Sequence, residues 1–190
     1  MIFEQSLSQV VDELGLDIER SQFDALVTHY RLLERWNSKI NLTTVRDPSE
    51  AAERHYGESL FLHMHVPQAT DICDIGSGAG FPGLPVGVLR PETKVYLVES
   101  VGKKATFLEE ASRQLSNITV IPQPLVDWDG TSEWAIMRAV APEKVLGELA
   151  SRVKHVAILG TEHPPDEYFN WQQPIDLPWG EHRRLWLGST

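Results

Sequence analysis

One cysteine, no long apolar run and a deficit of positive charge narrow what this chain of 190 residues can be. Cys73 has no second thiol in the chain to pair with, so no internal disulfide holds the fold together, and its apolar surroundings suit a small core residue. That usage is compatible with a reducing cytoplasm. No segment approaches the ~18 consecutive apolar residues of a membrane span, and Met1-Ile2-Phe3-Glu4 lacks a basic region ahead of an apolar one. The expectation is a soluble, unprocessed cytoplasmic chain without a membrane partner. Lys and Arg number 17 against 27 Asp and Glu, a formal net charge of −10, which argues against nucleic-acid binding through overall charge and leaves a local basic face as the only electrostatic route. Repeats and low-complexity tracts are also missing. What is present is ordinary for one globular domain: 42% hydrophobic and 23% charged residues, which excludes wholesale disorder.

The first third reads as helical. Leu7, Val10, Val11 and Leu14 recur at helical spacing with Gly15 placed as a terminator, and Phe23, Leu26, Val27, Tyr30 and Leu33 give an apolar face to a second helix over 21–37. Asp47-Pro48 reads as the cap and first position of a third helix running toward His65. Between them, Trp36 to Thr44 is too polar for a regular element and carries amides and hydroxyls, Asn41 among them, suited to a binding loop. From Thr70 onward, strands are predicted at 70–75, 94–99, 118–121, 134–138 and 155–159, with helices near 82–90, 102–115 and 142–154. That alternation implies an α/β, Rossmann-like, doubly wound and mostly parallel sheet with ligands at the carboxyl ends of its strands. Leu185-Trp186-Leu187 is expected as a last antiparallel edge strand. The division anticipated is a helical segment over 1–66 packed on a cofactor-binding domain over 67–190.

The densest signal is Asp71 to Gly83, D-I-C-D-I-G-S-G-A-G-F-P-G, a strand, a glycine turn and a helix start in succession. Gly76, Gly78 and Gly80 permit positive φ and close approach of backbone to a ligand. Gly78 to Gly83 formally matches the dinucleotide pattern G-x-G-x-x-G, so an NAD-type cofactor competes with S-adenosylmethionine (SAM). Asp74 discriminates: a carboxylate beside a pyrophosphate meets like charge, whereas SAM carries a sulfonium and an ammonium. Glu99, at the end of the next strand, suits the ribose hydroxyls. The pair favours SAM.

In the order and spacing of five segments, 32–48, 54–60, 74–83, 99–108 and 137–141, the chain resembles the RsmG/GidB family of SAM-dependent methyltransferases, which modify a guanine in small-subunit (16S) ribosomal RNA. The resemblance implies a class I methyltransferase fold, cytoplasmic and monomeric, acting on ribosomal RNA or the small subunit. It places Gly76, Ser77 and Phe81 at the cofactor turn, Ser100 beside Glu99, and Leu125-Val126 at the adenine end. Arg138 matches an arginine that closes the site. His55, Lys103 and Lys104, with Asn41 and Arg138, match positions near an RNA face. The seven-position nitrogen of guanine bears no proton, so no acid or base is nominated; Arg138 and His55 are positioning candidates. Trp36 and Phe81 suit either base stacking or core filling, and Arg138 either substrate contact or an ion pair. His63 and His65 diverge on a helix and are expected at the surface, with no metal.

Departures from the family pattern keep alternatives open. R-H-x-x-D-S is here Arg54-His55-Tyr56-Gly57-Glu58-Ser59, the family's strand-terminal Lys-Gly is Leu159-Gly160, and its R-x-E is replaced within Gln123 to Asp127. A diverged paralogue acting on another RNA or a small molecule, or a SAM-binding module without catalysis, would fit those losses.

Overall fold

The structure is a computed structural model describing residues 1–190. Helix α1 (Ile2–Glu13) buries Phe3, Leu7, Val10 and Val11, and ends at Gly15, where φ is +63°. Helix α2 (Arg20–Asn37) buries the matching stripe Leu26, Val27, Tyr30 and Leu33, and Phe3 stacks on Tyr30 with ring centroids 3.7 Å apart. The Asp47 carboxylate accepts the backbone N–H groups of Ser49 and Glu50, each at 2.9 Å, and opens α3 (Pro48–Ala51) as its cap. The helix then widens into a π-helical stretch (Ala52–Gly57) before continuing as α4 (Glu58–His65). That widening, which hydrophobic spacing does not reveal, falls on His55.

Strands β1 (Asp71–Ile75), β2 (Lys94–Val98), β3 (Ile118–Ile121), β4 (Ser132–Arg138) and β5 (Val153–Gly160) form a parallel sheet in the order β3-β2-β1-β4-β5. Helices α5 (Gly83–Leu89) and α6 (Gly102–Ser112) join β1 to β2 and β2 to β3. Side chains of alternate parity enter separate cores. Ile72, Ile136, Ala157 and Leu159 pack with Phe61, Leu62 and Val86, while Cys73, Ile75, Ala135, Met137, Val156 and Ile158 face Trp128, Leu146 and Leu149. The amino-terminal helices join α5 and α6 in one cluster that includes Leu26, Tyr56, Leu84, Val95 and Phe107. Cys73 is a free thiol at 0% exposure, its ionisation pushed up to about 12 by burial.

Three expectations are corrected. The helix over 142–154 is only a 3₁₀ turn (Pro142–Lys144) and α7 (Leu146–Leu149), because just Leu146 and Leu149 reach the core there and Val153 already begins β5. Leu185-Trp186-Leu187 lies in β8 (Arg184–Ser189), antiparallel to β5 as expected. It is not an edge, since the short strands β6 (Asn170–Trp171) and β7 (Ile175–Asp176) pair with its other side. His63 and His65 are half-buried rather than at the surface. Arg90 donates to His63 Nδ1 at 3.0 Å and to the carbonyls of His63, Val66 and Pro67, closing the end of α4, while His65 Nδ1 bonds the Phe61 carbonyl. No helix is long and apolar enough to cross a membrane.

Arg90→Met removes the donors that satisfy those carbonyls. It is expected to lower unfolding free energy by about 2–3 kcal/mol, read as a fall in urea midpoint at unchanged slope.

Candidate active site

Strand order reverses between β1 and β4, and the crevice at that switch is where an α/β sheet receives a ligand. Both strands carry functional side chains at this end. Asp74, at 0% exposure, accepts the Gly83 N–H through Oδ2 at 2.9 Å, tying the end of β1 to the first residue of α5. A Cβ on Gly83 would lie 2.6 Å from that oxygen and 2.6 Å from Leu97 Cδ2, so the tie requires glycine. Asp74 Oδ1 is buried with no partner, and burial pushes the carboxyl up to about 7.

The glycine turn has φ of +68° at Gly76, +59° at Gly78 and +90° at Gly80. A Cβ on Gly78 would meet only the Gly76 carbonyl, 3.7 Å away, whereas one on Gly76 would strike Val140 at 2.6 Å. Gly78 therefore borders open space. Glu99 Oε2 accepts the Gly78 N–H and Oε1 the Val101 N–H, both at 2.8 Å, so this carboxylate shapes the turn while each oxygen retains a lone pair. Ser77 is turned inward, its hydroxyl donating to the Asp74 carbonyl at 3.0 Å. Leu125 is buried with Val98 and Ile75 at the adjoining end, and Val126 is 62% exposed beside it. Ser100 is exposed. An unpartnered carboxylate oxygen for a cation, an acid for hydroxyls, a glycine bordering open space and an apolar edge together fit SAM.

The wall opposite is built around Phe81. His55 stacks on its ring at 4.8 Å and the Arg138 guanidinium lies 5.3 Å from its centroid. Arg138 donates to His55 Nδ1 at 2.9 Å, to the Arg54 carbonyl at 2.5 Å and to Glu58 at 3.4 Å. Since guanidinium only donates, Nδ1 is an acceptor. His55 Nε2–H then donates to Thr43 Oγ1 at 2.7 Å, and burial beside Arg138 holds the ring's ionisation down at about 3. His55 is thus neutral and buried, 6% exposed, rather than part of an exposed face. Arg138 forms the ion pair that was one of its two readings. Trp36, half-buried, packs between α2 and α6, donating to Glu110 at 3.0 Å and contacting Phe107 edge-on, whereas Phe81, 4% exposed, presents no face for stacking a base.

Asn41 and Lys103 are exposed and Lys104 half-buried, none with a side-chain hydrogen bond or ion pair. Lys103 and Lys104 open the helix after β2, so they border the same carboxyl edge as the turn. The binding loop's capacity is largely spent internally: the Asn37 carboxamide accepts the N–H groups of Leu42 and Thr43 and donates to the Thr43 carbonyl.

Sequence reasoning missed His29. It lies on the apolar face of α2 at 2% exposure, donates Nε2–H to the Ala79 carbonyl at 3.0 Å, and accepts the Tyr56 hydroxyl at Nδ1, 2.9 Å away. The glycine turn is thereby braced from the helical segment. The available signal was a histidine within a stripe of Leu26, Val27, Tyr30 and Leu33.

Strand order, an antiparallel final strand and this cradle define a class I SAM-dependent methyltransferase. Solved structures share the fold at low identity: a magnesium protoporphyrin IX methyltransferase from Synechocystis with bound SAM has a TM-score of 0.61 at 13% identity, covering 91% of this chain and 98% of that one. A SAM-dependent methyltransferase from Aquifex aeolicus has a TM-score of 0.57 at 15% identity, covering 85% and 97%. The chain belongs to the GidB family, described as rRNA small subunit methyltransferase G, whose family model matches residues 22–161. Relatives named ribosomal RNA small subunit methyltransferase G include one from Colwellia psychrerythraea, 32% identical with 93% of this chain and 88% of the relative covered, and one from Pseudomonas syringae pv. syringae, 35% identical with 86% and 79% covered. A third, from Desulforamulus reducens, is 36% identical, with 75% of this chain covered and a match spanning 64% of the relative's length.

The buried histidines give the stability a pH signature. His29 and His63 are held down at about 4 and His55 at about 3, so acid protonates the unfolded chain first and stability is lost as pH falls below about 6.5. Asp74 works in the opposite direction, being protonated when folded and ionised when unfolded between its ordinary range and about 7. Three groups outweigh one. Urea unfolding near pH 5 is expected to show stability falling by roughly 2 to 2.5 kcal/mol per pH unit of acidification, with a visibly shallower slope in His29→Gln.

Proposed function

We propose that this protein transfers the methyl group of SAM to the seven-position nitrogen of a guanine in small-subunit (16S) ribosomal RNA. The observation that carries the reading is a cofactor cradle in a GidB-family chain whose neighbouring histidines are neutral and fully hydrogen-bonded, leaving no free imidazole for proton transfer. A guanine seven-position nitrogen needs none, because its lone pair lies in the base plane and bears no proton. SAM supplies an electrophilic methyl on a sulfonium. The chain's own contribution is alignment and electrostatics. Glu99 receives the ribose hydroxyls, Asp74 lends negative charge beneath the cationic end, and Leu125 and Val126 flank the adenine. The buried Phe81 and His55 hold Arg138 in place, and Arg138 positions the base.

The partner in this reading is ribosomal RNA or the assembled small subunit, met by a monomer in which the helical segment over 1–66 completes the site of the domain over 67–190. Lys103 and Lys104 approach phosphates from the carboxyl edge of the sheet, so contact with RNA is local despite a chain charge of −10. Near the end of β5, Leu159 is 2% exposed and packed in the core, so that strand brings no cation to the substrate side.

Two experiments test the reading. Small ribosomal subunits lacking the modification are incubated with protein and methyl-labelled SAM, and the nucleoside is identified by mass. Recovery of 7-methylguanosine is expected; SAM binding without labelled RNA would count against it. Glu99→Ala is expected to weaken SAM binding roughly ten- to 150-fold by titration calorimetry, the loss of a charged hydrogen-bond acceptor worth about 1.5–3 kcal/mol.

A further inference from the structure

Glu58 is 1% exposed and faces two guanidinium groups. Arg183 Nη2 lies 2.6 Å from its Oε2, and Arg138 Nη1 lies 3.4 Å from the same oxygen. A carboxylate pairs best with one planar fork through two parallel hydrogen bonds, and here both guanidinium groups reach Oε2 alone, so neither pair is bidentate. Here the short contact goes to Arg183. The cluster holds two positive charges and one negative charge, leaving a net positive charge in the wall that carries Phe81 and His55.

The turn between β7 and β8 is shaped to deliver Arg183. Trp179 packs on Gly57, where a Cβ would lie 2.9 Å from the ring, and its Nε1–H donates to Glu13 at 3.2 Å. His182, immediately before Arg183, has φ of +60°, a conformation side chains rarely adopt, and Gly180 has +80°. Gly160 at the end of β5 pairs with Arg184, so Arg183 brings a cation to the edge where β5 itself offers only the buried Leu159. Gly57 and Glu58, two departures from the family pattern, are the residues that receive Trp179 and Arg183.

We infer that Arg183 is a positioning residue for Arg138: by taking the short contact to Glu58 it keeps that carboxylate from closing on Arg138, and so leaves the Arg138 fork on His55 and the Arg54 carbonyl, beside Phe81. Without Arg183, Glu58 is free to draw both arms of the Arg138 fork, and Nη2 leaves His55 Nδ1. The net positive charge of the wall disappears with it. The consequence for catalysis rests on the methyltransferase reading above; the change at His55 does not.

The test uses the full chain with R183Q, R183M and R183K. In ¹⁵N spectra of the imidazoles, wild-type His55 is expected as the Nε2–H tautomer, without titration between pH 5 and 8. R183Q and R183M are expected to shift the His55 Nδ1 signal and bring its titration up by at least one pH unit, and R183K to restore the wild-type spectrum. Either neutral variant suffices if the other does not fold. In methyl transfer, the neutral variants are expected to raise KM for ribosomal subunits about tenfold, with kcat and SAM affinity within twofold of wild type. An unchanged His55 spectrum in a folded neutral variant overturns the inference, as does equal loss in R183K. If wild-type protein transfers no methyl group, the functional reading fails, while the imidazole spectra still decide the role of Arg183.

Discussion

A buried carboxylate at the end of the first strand organises this molecule. Asp74 holds the first N–H of α5 against the sheet, and the closeness of that contact excludes any side chain at Gly83. The chain must therefore turn within a few residues, which accounts for the left-handed glycines between strand and helix. Two further contacts fix the turn from outside: Glu99 from the end of β2 and His29 from α2. The cofactor cradle is consequently a meeting of three elements, with the amino-terminal helices as one of its supports.

Electrostatics divides the protein into an acidic exterior and a guarded interior. The −10 chain charge coexists with a cluster in which the half-buried Arg138 and Arg183 share the buried Glu58. Burial is costly for such a group unless its hydrogen bonds are met, and the Arg54 carbonyl, His55 and Glu58 meet those of Arg138. The same burial keeps His55 and His29 neutral, so the wall offers shape and fixed dipoles. On the proposed reading, attack by an unprotonated nitrogen on a methyl sulfonium draws on those properties.

Much of this was legible in residue order. Alternation from Thr70 onward identified the parallel strands, Asp47-Pro48 marked its helix start, and Gly76, Gly78 and Gly80 located the turn. Such features are local: spacing, capping and backbone freedom act over a few neighbours. The helix expected over 142–154 failed because intrinsic pattern was weak there and the start of β5 left no room, and β8 looked like an edge because two-residue strands leave no periodic trace.

The site divides in the same way. Sequence alone determined the fold class, the glycine turn and the acids beside it, since each depends on residue type within one βαβ unit. Only tertiary structure decided which groups remain available to a ligand. Asp74 became a brace with one free oxygen, His55 a neutral strut, Trp36 a half-buried residue bonded to Glu110, and Glu58 the junction of two arginines from distant segments. Those outcomes depend on burial and on partners 9 to 125 residues away along the chain, as in Asp74–Gly83 and Arg183–Glu58, and no local pattern encodes the longer of these distances.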